Sequence, residues 1–110
     1  MLGLIFLAAG CSNNPKAVVP AATVVIKDGG FAPASITVKR GDTVVFQNQD
    51  SQAHWPASDL HPTHGIYPEF DPQTSIEPNK SWSFTFDKVG KWKYHDHLFP
   101  SVHGMVTVTE

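Results

Sequence analysis

Lys91-Trp92-Lys93-Tyr94-His95-Asp96-His97 decides how the rest of the chain is read. Its side chains alternate as on a β-strand. Trp92, Tyr94 and Asp96 fall on one face, and Lys91, Lys93, His95 and His97 fall on the other. Two aromatics predict that the first face meets a core. Asp96 follows them onto that face, where a carboxylate needs a partner. The lysines mark the second face as wet at its start. His95 and His97 then stand on it at i and i+2. An H-x-H pair on a strand can hold one metal ion with both imidazoles at about 2.0 Å.

The same two-residue period recurs outward from this stretch. Ser81 to Asp87 alternates, with Trp82, Phe84 and Phe86 facing a core, and Lys88-Val89-Gly90 turns the chain into the histidine strand. Met105 to Thr109 reads as the closing strand. Upstream, Thr23–Lys27, Ile36–Lys39 and Thr43–Asn48 are rich in β-branched residues. Asp28-Gly29-Gly30 is a turn, Phe31 to Ser35 crosses over, and Arg40-Gly41-Asp42 reads as a hairpin-type turn. No segment carries a useful 3.6-residue apolar pattern. These features predict an all-β fold, a Greek-key β-sandwich of about seven strands. Residues 49–79 form the longest stretch without periodicity, holding His54, His61, His64 and prolines at 56, 62, 68, 72 and 78. Trp55, Leu60, Ile66, Tyr67 and Phe70 give it apolar anchors, which predicts an ordered lid.

A chain of 110 residues with a formal charge of −2 makes one domain, near the small end of what one core can stabilise. It has no basic patch or run, which argues against nucleic acid as a partner. All six histidines lie between His54 and His103. The first eleven residues, Met1 to Cys11, are an apolar run ending in small residues and the single cysteine. The run is too short to span a bilayer, which takes about 20 residues. It reads as an export signal, and Leu7-Ala8-Ala9-Gly10-Cys11 resembles a bacterial lipobox, although no Lys or Arg precedes it. The expectation is a signal over residues 1–11 with Cys11 lipidated, a linker over 12–22 and a folded domain over 23–110. The protein would then lie outside the cytoplasm, in the periplasm or at the cell surface, and meet the membrane through the lipid only. A lipidated Cys11 leaves the domain no thiol, and so no disulfide, thiolate ligand or cysteine nucleophile.

Several fragments together resemble the cupredoxins, the plastocyanin and amicyanin group of small copper proteins. Phe31-Ala-Pro-Ala-Ser-Ile-Thr-Val-Lys-Arg-Gly-Asp-Thr-Val-Val-Phe46 is similar to their second and third strands. His54 matches the position of their first copper histidine. Gly90 to Asp96 resembles their G-x-Y-x-Y-x-C approach to the copper loop, and Gly104-Met-Val-Thr-Val their last strand. The resemblance covers about Thr23 to Thr109 and implies a cupredoxin sandwich with a copper site. Blue-copper members use His, Cys, His and a weak axial Met. Here the cysteine position is Asp96, so the resemblance stops short of a Cu–thiolate bond.

The candidate ligands are His54, His61, His64, His95 and His97, with Asp96 as a carboxylate ligand or as an acceptor for a ligand histidine's N–H. Several imidazoles with an optional carboxylate suit copper in a non-blue, type 2-like site, and a trigonal or tetrahedral set would also accept zinc. His103 is expected at the surface and Met105 in the core. The reading is an exported, lipid-anchored copper protein for metal binding, transfer or electron transfer, with a redox or copper-transfer protein as partner. Two alternatives compete with it: a type 2 copper enzyme acting on a small oxidant, and a metal-free surface interaction domain. Asp59 beside His61 or His64 hints at acid–base catalysis, but no nucleophile or phosphate-binding loop accompanies it.

Overall fold

The computed structural model describes residues 19–110; Cys11, the signal expected over residues 1–11 and most of the linker lie outside the described residues. Eight strands follow one another: β1 (Ala22–Lys27), β2 (Gly30–Ala32), β3 (Ser35–Lys39), β4 (Thr43–Asn48), β5 (Pro56–Ser58), β6 (Ser81–Thr85), β7 (Gly90–Asp96) and β8 (His103–Thr109). They form two four-stranded sheets, ordered β2-β1-β4-β6 and β3-β8-β7-β5. Both sheets are mixed: β1 runs parallel to β4 and β3 parallel to β8, while the other pairs are antiparallel. The all-β sandwich expected from the alternation is therefore the fold. Beyond the six strands read from the sequence come β2, at the start of the expected crossover, and β5, three residues inside the long aperiodic stretch.

One turn differs from its reading. Arg40-Gly41-Asp42 joins β3 to β4, which lie in opposite sheets, so it is a corner and not a hairpin. The Asp42 N–H donates to Lys39 O (2.9 Å), and the Asp42 carboxylate accepts the Lys39 N–H (2.8 Å). A tight turn of this chemistry serves either purpose, and only the strands' later partners decide. Asp28-Gly29, in contrast, does close a hairpin. Both residues have positive φ (54° and 71°), the type I′ geometry that matches strand twist.

The inner faces interdigitate as the period predicts. Val24 and Ile26 of β1 and Val44 and Phe46 of β4 meet Val38, Tyr94, Val106 and Val108 of the other sheet, all buried. Phe86 is fully buried, with Trp82 and Phe84 packed partly buried against the cluster. Phe70, from the long loop, sits at 0 % exposure between the sheets. Its ring lies 4.9–5.7 Å from those of Phe46, Phe84, Phe86 and Tyr94. A loop residue thus anchors the loop to the core.

Further bonds hold that loop to itself and to both sheets. His54 and Ile76 exchange backbone hydrogen bonds of 3.1 and 2.7 Å. The Ser58 N–H donates to Phe70 O (2.8 Å), and Ser58 Oγ accepts the Tyr67 N–H (3.0 Å). The Asp59 N–H donates to Lys93 O (3.1 Å), and the Tyr67 hydroxyl donates to Asp87 (2.8 Å). β5 pairs with the far end of β7, setting Ala57 opposite His95 and Pro56 opposite Asp96. The outer face of β7 is therefore wet at Lys91 and Lys93 and covered at His95, which is 1 % exposed.

Candidate metal centre

β7 delivers its last residues to two different environments, because successive side chains point to opposite faces. Tyr94 and Asp96 turn inward. His95 and His97 turn outward, under the loop that carries His61 and His64. Each of these four histidines offers one ring nitrogen to a common point, and the four nitrogens lie within 4.8 Å of one another. His61 Nδ1 is 3.3 Å from His95 Nε2, and His64 Nε2 is 3.0 Å from His97 Nδ1. Four nitrogens at about 2.0–2.1 Å from one ion in a tetrahedron stand about 3.3–3.4 Å apart, so the spacing is that of a metal site.

Two carboxylates stand behind the cluster. His95 donates its Nδ1–H to Asp59 (2.8 Å), and His64 donates its Nδ1–H to Asp71 (2.7 Å). Each bond fixes the tautomer that leaves Nε2 as a lone pair aimed at the centre. Asp71 also accepts the Trp55 indole N–H (2.8 Å) and the Gln73 N–H (2.8 Å). Its partial burial raises its pKa, but the bonds from His64, Gln73 and Trp55 outweigh that and hold it below the usual carboxylate value. The Trp55 ring lies against His97 at 4.6 Å, and the His97 N–H donates to Trp55 O (2.7 Å). His64 and His95 are buried, His97 is half-buried and His61 is exposed.

His54 and Asp96 lie outside this group and hold each other. His54 Nδ1 is 2.5 Å from Asp96 Oδ2, and Nε2 is 2.8 Å from Asp50 Oδ2. Both His54 ring nitrogens are thus engaged by carboxylates, and neither is turned toward the four-histidine group. Asp96 Oδ1 accepts the N–H groups of Trp55 (3.0 Å) and Leu98 (2.9 Å), so the partner this carboxylate needs is His54 plus two backbone donors. Both residues are buried, at 1 % and 0 % exposure. The physical reason for their separation from the cluster is the pleat: Asp96 stays in register with Tyr94 to the end of the strand. Asp50, in turn, is held below the usual carboxylate value, first by its hydrogen bond with His54.

His103 is exposed and stands opposite His95 on β8 without joining the four-histidine group, and Met105 is half-buried there rather than in the core. Asp59 and Asp71 emerge only from the structure in their role behind the histidines. Asp71 shares a loop with its partner His64, as many aspartates do, whereas Asp59 meets His95 of β7 across 36 positions of chain, which leaves no local signal.

The two mixed sheets, each with one parallel pair of strands, make a β-sandwich of the cupredoxin type. The cupredoxin-like domain family matches residues 1–108, and the chain belongs to that family. Among solved structures it is similar to a reduced variant of amicyanin, with 24 % identity over 86 % of this chain and 87 % of that one and a TM-score of 0.71. A reduced Cu(I) form of another amicyanin variant at pH 4 matches with the same identity, coverage and TM-score, 24 %, 86 %, 87 % and 0.71. A purple cupredoxin from Nitrosopumilus maritimus matches at 24 % identity over 80 % of this chain and 99 % of that one, with a TM-score of 0.70. At this identity the likeness concerns the fold. No curated protein matches the chain by sequence.

Proposed function

We propose that the chain is a copper-binding cupredoxin that holds one copper ion through His61, His64, His95 and His97, in a non-blue site of nitrogen ligands. The observation that carries this reading is the convergence of four imidazole nitrogens with carboxylates fixing two of the rings. An all-imidazole set suits copper, and among the described residues no cysteine stands by to supply a thiolate. Copper, when bound, would supply an electron-accepting ion; His64 and His95 would orient toward it through Asp71 and Asp59, and His97 through Trp55. The position that the family gives to copper is filled here by the His54–Asp96 pair, so the reading moves the ion to the opposite face of β7.

The role that fits is copper binding and transfer, with electron transfer as a further use of the same ion. The partner would be a copper-transfer or redox protein. The lipobox-like run before Cys11 supports a location outside the cytoplasm with a lipid anchor. Mass spectrometry of the protein purified from membranes tests that part: a diacylated N-terminal cysteine is expected, and an unmodified Met1 would sink it.

The test of the site is a Cu(II) titration of the full-length chain, followed by electron paramagnetic resonance and optical spectra. One equivalent of copper with an axial signal, nitrogen coupling and no intense blue band is expected. A His95→Ala/His97→Ala double variant should lose that signal. Copper that binds unchanged in the double variant, or only after His54 is freed from Asp96, would overturn the assignment.

A further inference from the structure

The four histidines are not held alike. His64 is buried and braced by Asp71; His95 is buried and braced by Asp59. His97 is half-buried, stacked on Trp55 and tied to it by its backbone N–H. His61 is exposed, and among the described residues no carboxylate meets its ring. Among the described residues its only polar ring contact is the 3.3 Å approach of Nδ1 to His95 Nε2. No backbone hydrogen bond fixes residue 61 among the described residues, and the next residue, Pro62, has no N–H to offer. Its neighbour Leu60 is 62 % exposed, so the chain on that side is also open to solvent.

Resting on the copper reading of the cluster, we infer that His61 is the exchangeable ligand of a three-histidine core, and that its corner is where the imidazole of a metal-transfer partner engages the ion. The physical basis is unequal cost. Displacing His64 or His95 strips a buried ring from a carboxylate and leaves both unpaired. Displacing His61 returns an exposed ring to water. Three protein ligands with one replaceable position are a stable arrangement for an imidazole-bound ion. In the exchange, one neutral nitrogen lone pair leaves as another arrives, so charge and electron count stay as they were.

The experiment compares the full-length chain with His61→Gly and His95→Gly, using copper alone and then copper with free imidazole. Circular dichroism and metal-free melting show whether each variant folds. His61→Gly should keep one equivalent of copper but surrender it to a competing chelator about tenfold faster, since affinity changes of this kind appear mostly in the off-rate. Millimolar imidazole should restore its wild-type paramagnetic signal. His95→Gly should lose stoichiometric binding, and imidazole should not restore it. A His61→Gly protein that loses copper as completely as His95→Gly, or keeps the wild-type release rate, or ignores imidazole, would overturn the inference while leaving the copper site intact. A wild-type chain that binds no copper would instead overturn the reading beneath it.

Discussion

Aspartates 59 and 71 do their work through the residues they touch. Each accepts the Nδ1–H of a cluster histidine, and neither offers an oxygen within the cluster itself. Replacing either by asparagine keeps the shape and lets the amide present the wrong group to the ring. Copper affinity is expected to fall about 10–100-fold in Asp59→Asn and Asp71→Asn, measured by chelator competition, with melting temperature little changed. The opposite pattern is expected at His54 and Asp96. Both are buried and hold each other, so His54→Ala leaves a buried carboxylate short of a hydrogen-bond partner at a cost of about 1–3 kcal/mol. Denaturant melts should show that loss, whereas copper stoichiometry should remain one. Copper lost together with stability would mean that the two faces of β7 are not independent. These residues also show what could be read in advance. The H-x-H pair of His95 and His97 was visible as a pair of donors because its spacing on a strand suits an ion. Whether Asp96 joins them depends on the pleat at a strand's last residue, and only its backbone partners settle that.

At the scale of the element, β7 and β8 are fitted to each other at one crossing. Gly104 stands opposite Tyr94, and a β-carbon there would fall onto the tyrosine ring. The Tyr94 ring is 1 % exposed and packs against Phe31 at 4.7 Å, so it has nowhere to retreat. Gly104→Ala is therefore expected to cost about 1–3 kcal/mol in urea unfolding, the range for forcing extra volume into a packed site. A change below about 0.5 kcal/mol would show that the ring can move. The strands themselves were legible, because alternation and turn residues are local properties. The corner at Arg40-Gly41-Asp42 was not, since its own chemistry is the same whether the next strand pairs with the last or crosses to the other sheet. The loop that bears His61 and His64 was legible only as a loop with anchors. Where those anchors land depends on Phe70 finding the core, a contact far along the chain.

For the molecule as a whole, two buried phenols shape the response to alkali. Burial, helped by the hydrogen bond to Asp87, raises Tyr67 to about 12. Burial raises Tyr94 further still. In the unfolded chain both ionise near about pH 10. A folded pKa raised above the unfolded one means that the native state binds more protons, so stability falls as pH rises from about 10. Tyr67 adds to that fall up to about pH 12. Tyr67→Phe should shrink it across that window without removing it, because Tyr94 remains; stability followed by guanidinium midpoints at stepped pH checks this. An identical pH slope in the variant would show that Tyr67 ionises freely in the native fold.

The four-histidine cluster has one more consequence, a mechanical one. Its donors come from two distant places, the 59–64 loop and the end of β7. An ion held there would act as a cross-link between them, in a domain whose described residues contain no cysteine to form a covalent one. Such a staple shortens the slack in the unfolded chain as a disulfide does, but chelation rather than reduction would cut it. Pulled from its ends in a force spectrometer, the copper-loaded chain should release its last stretch of contour in a separate, shorter step, and that step should merge with the first once a chelator is added.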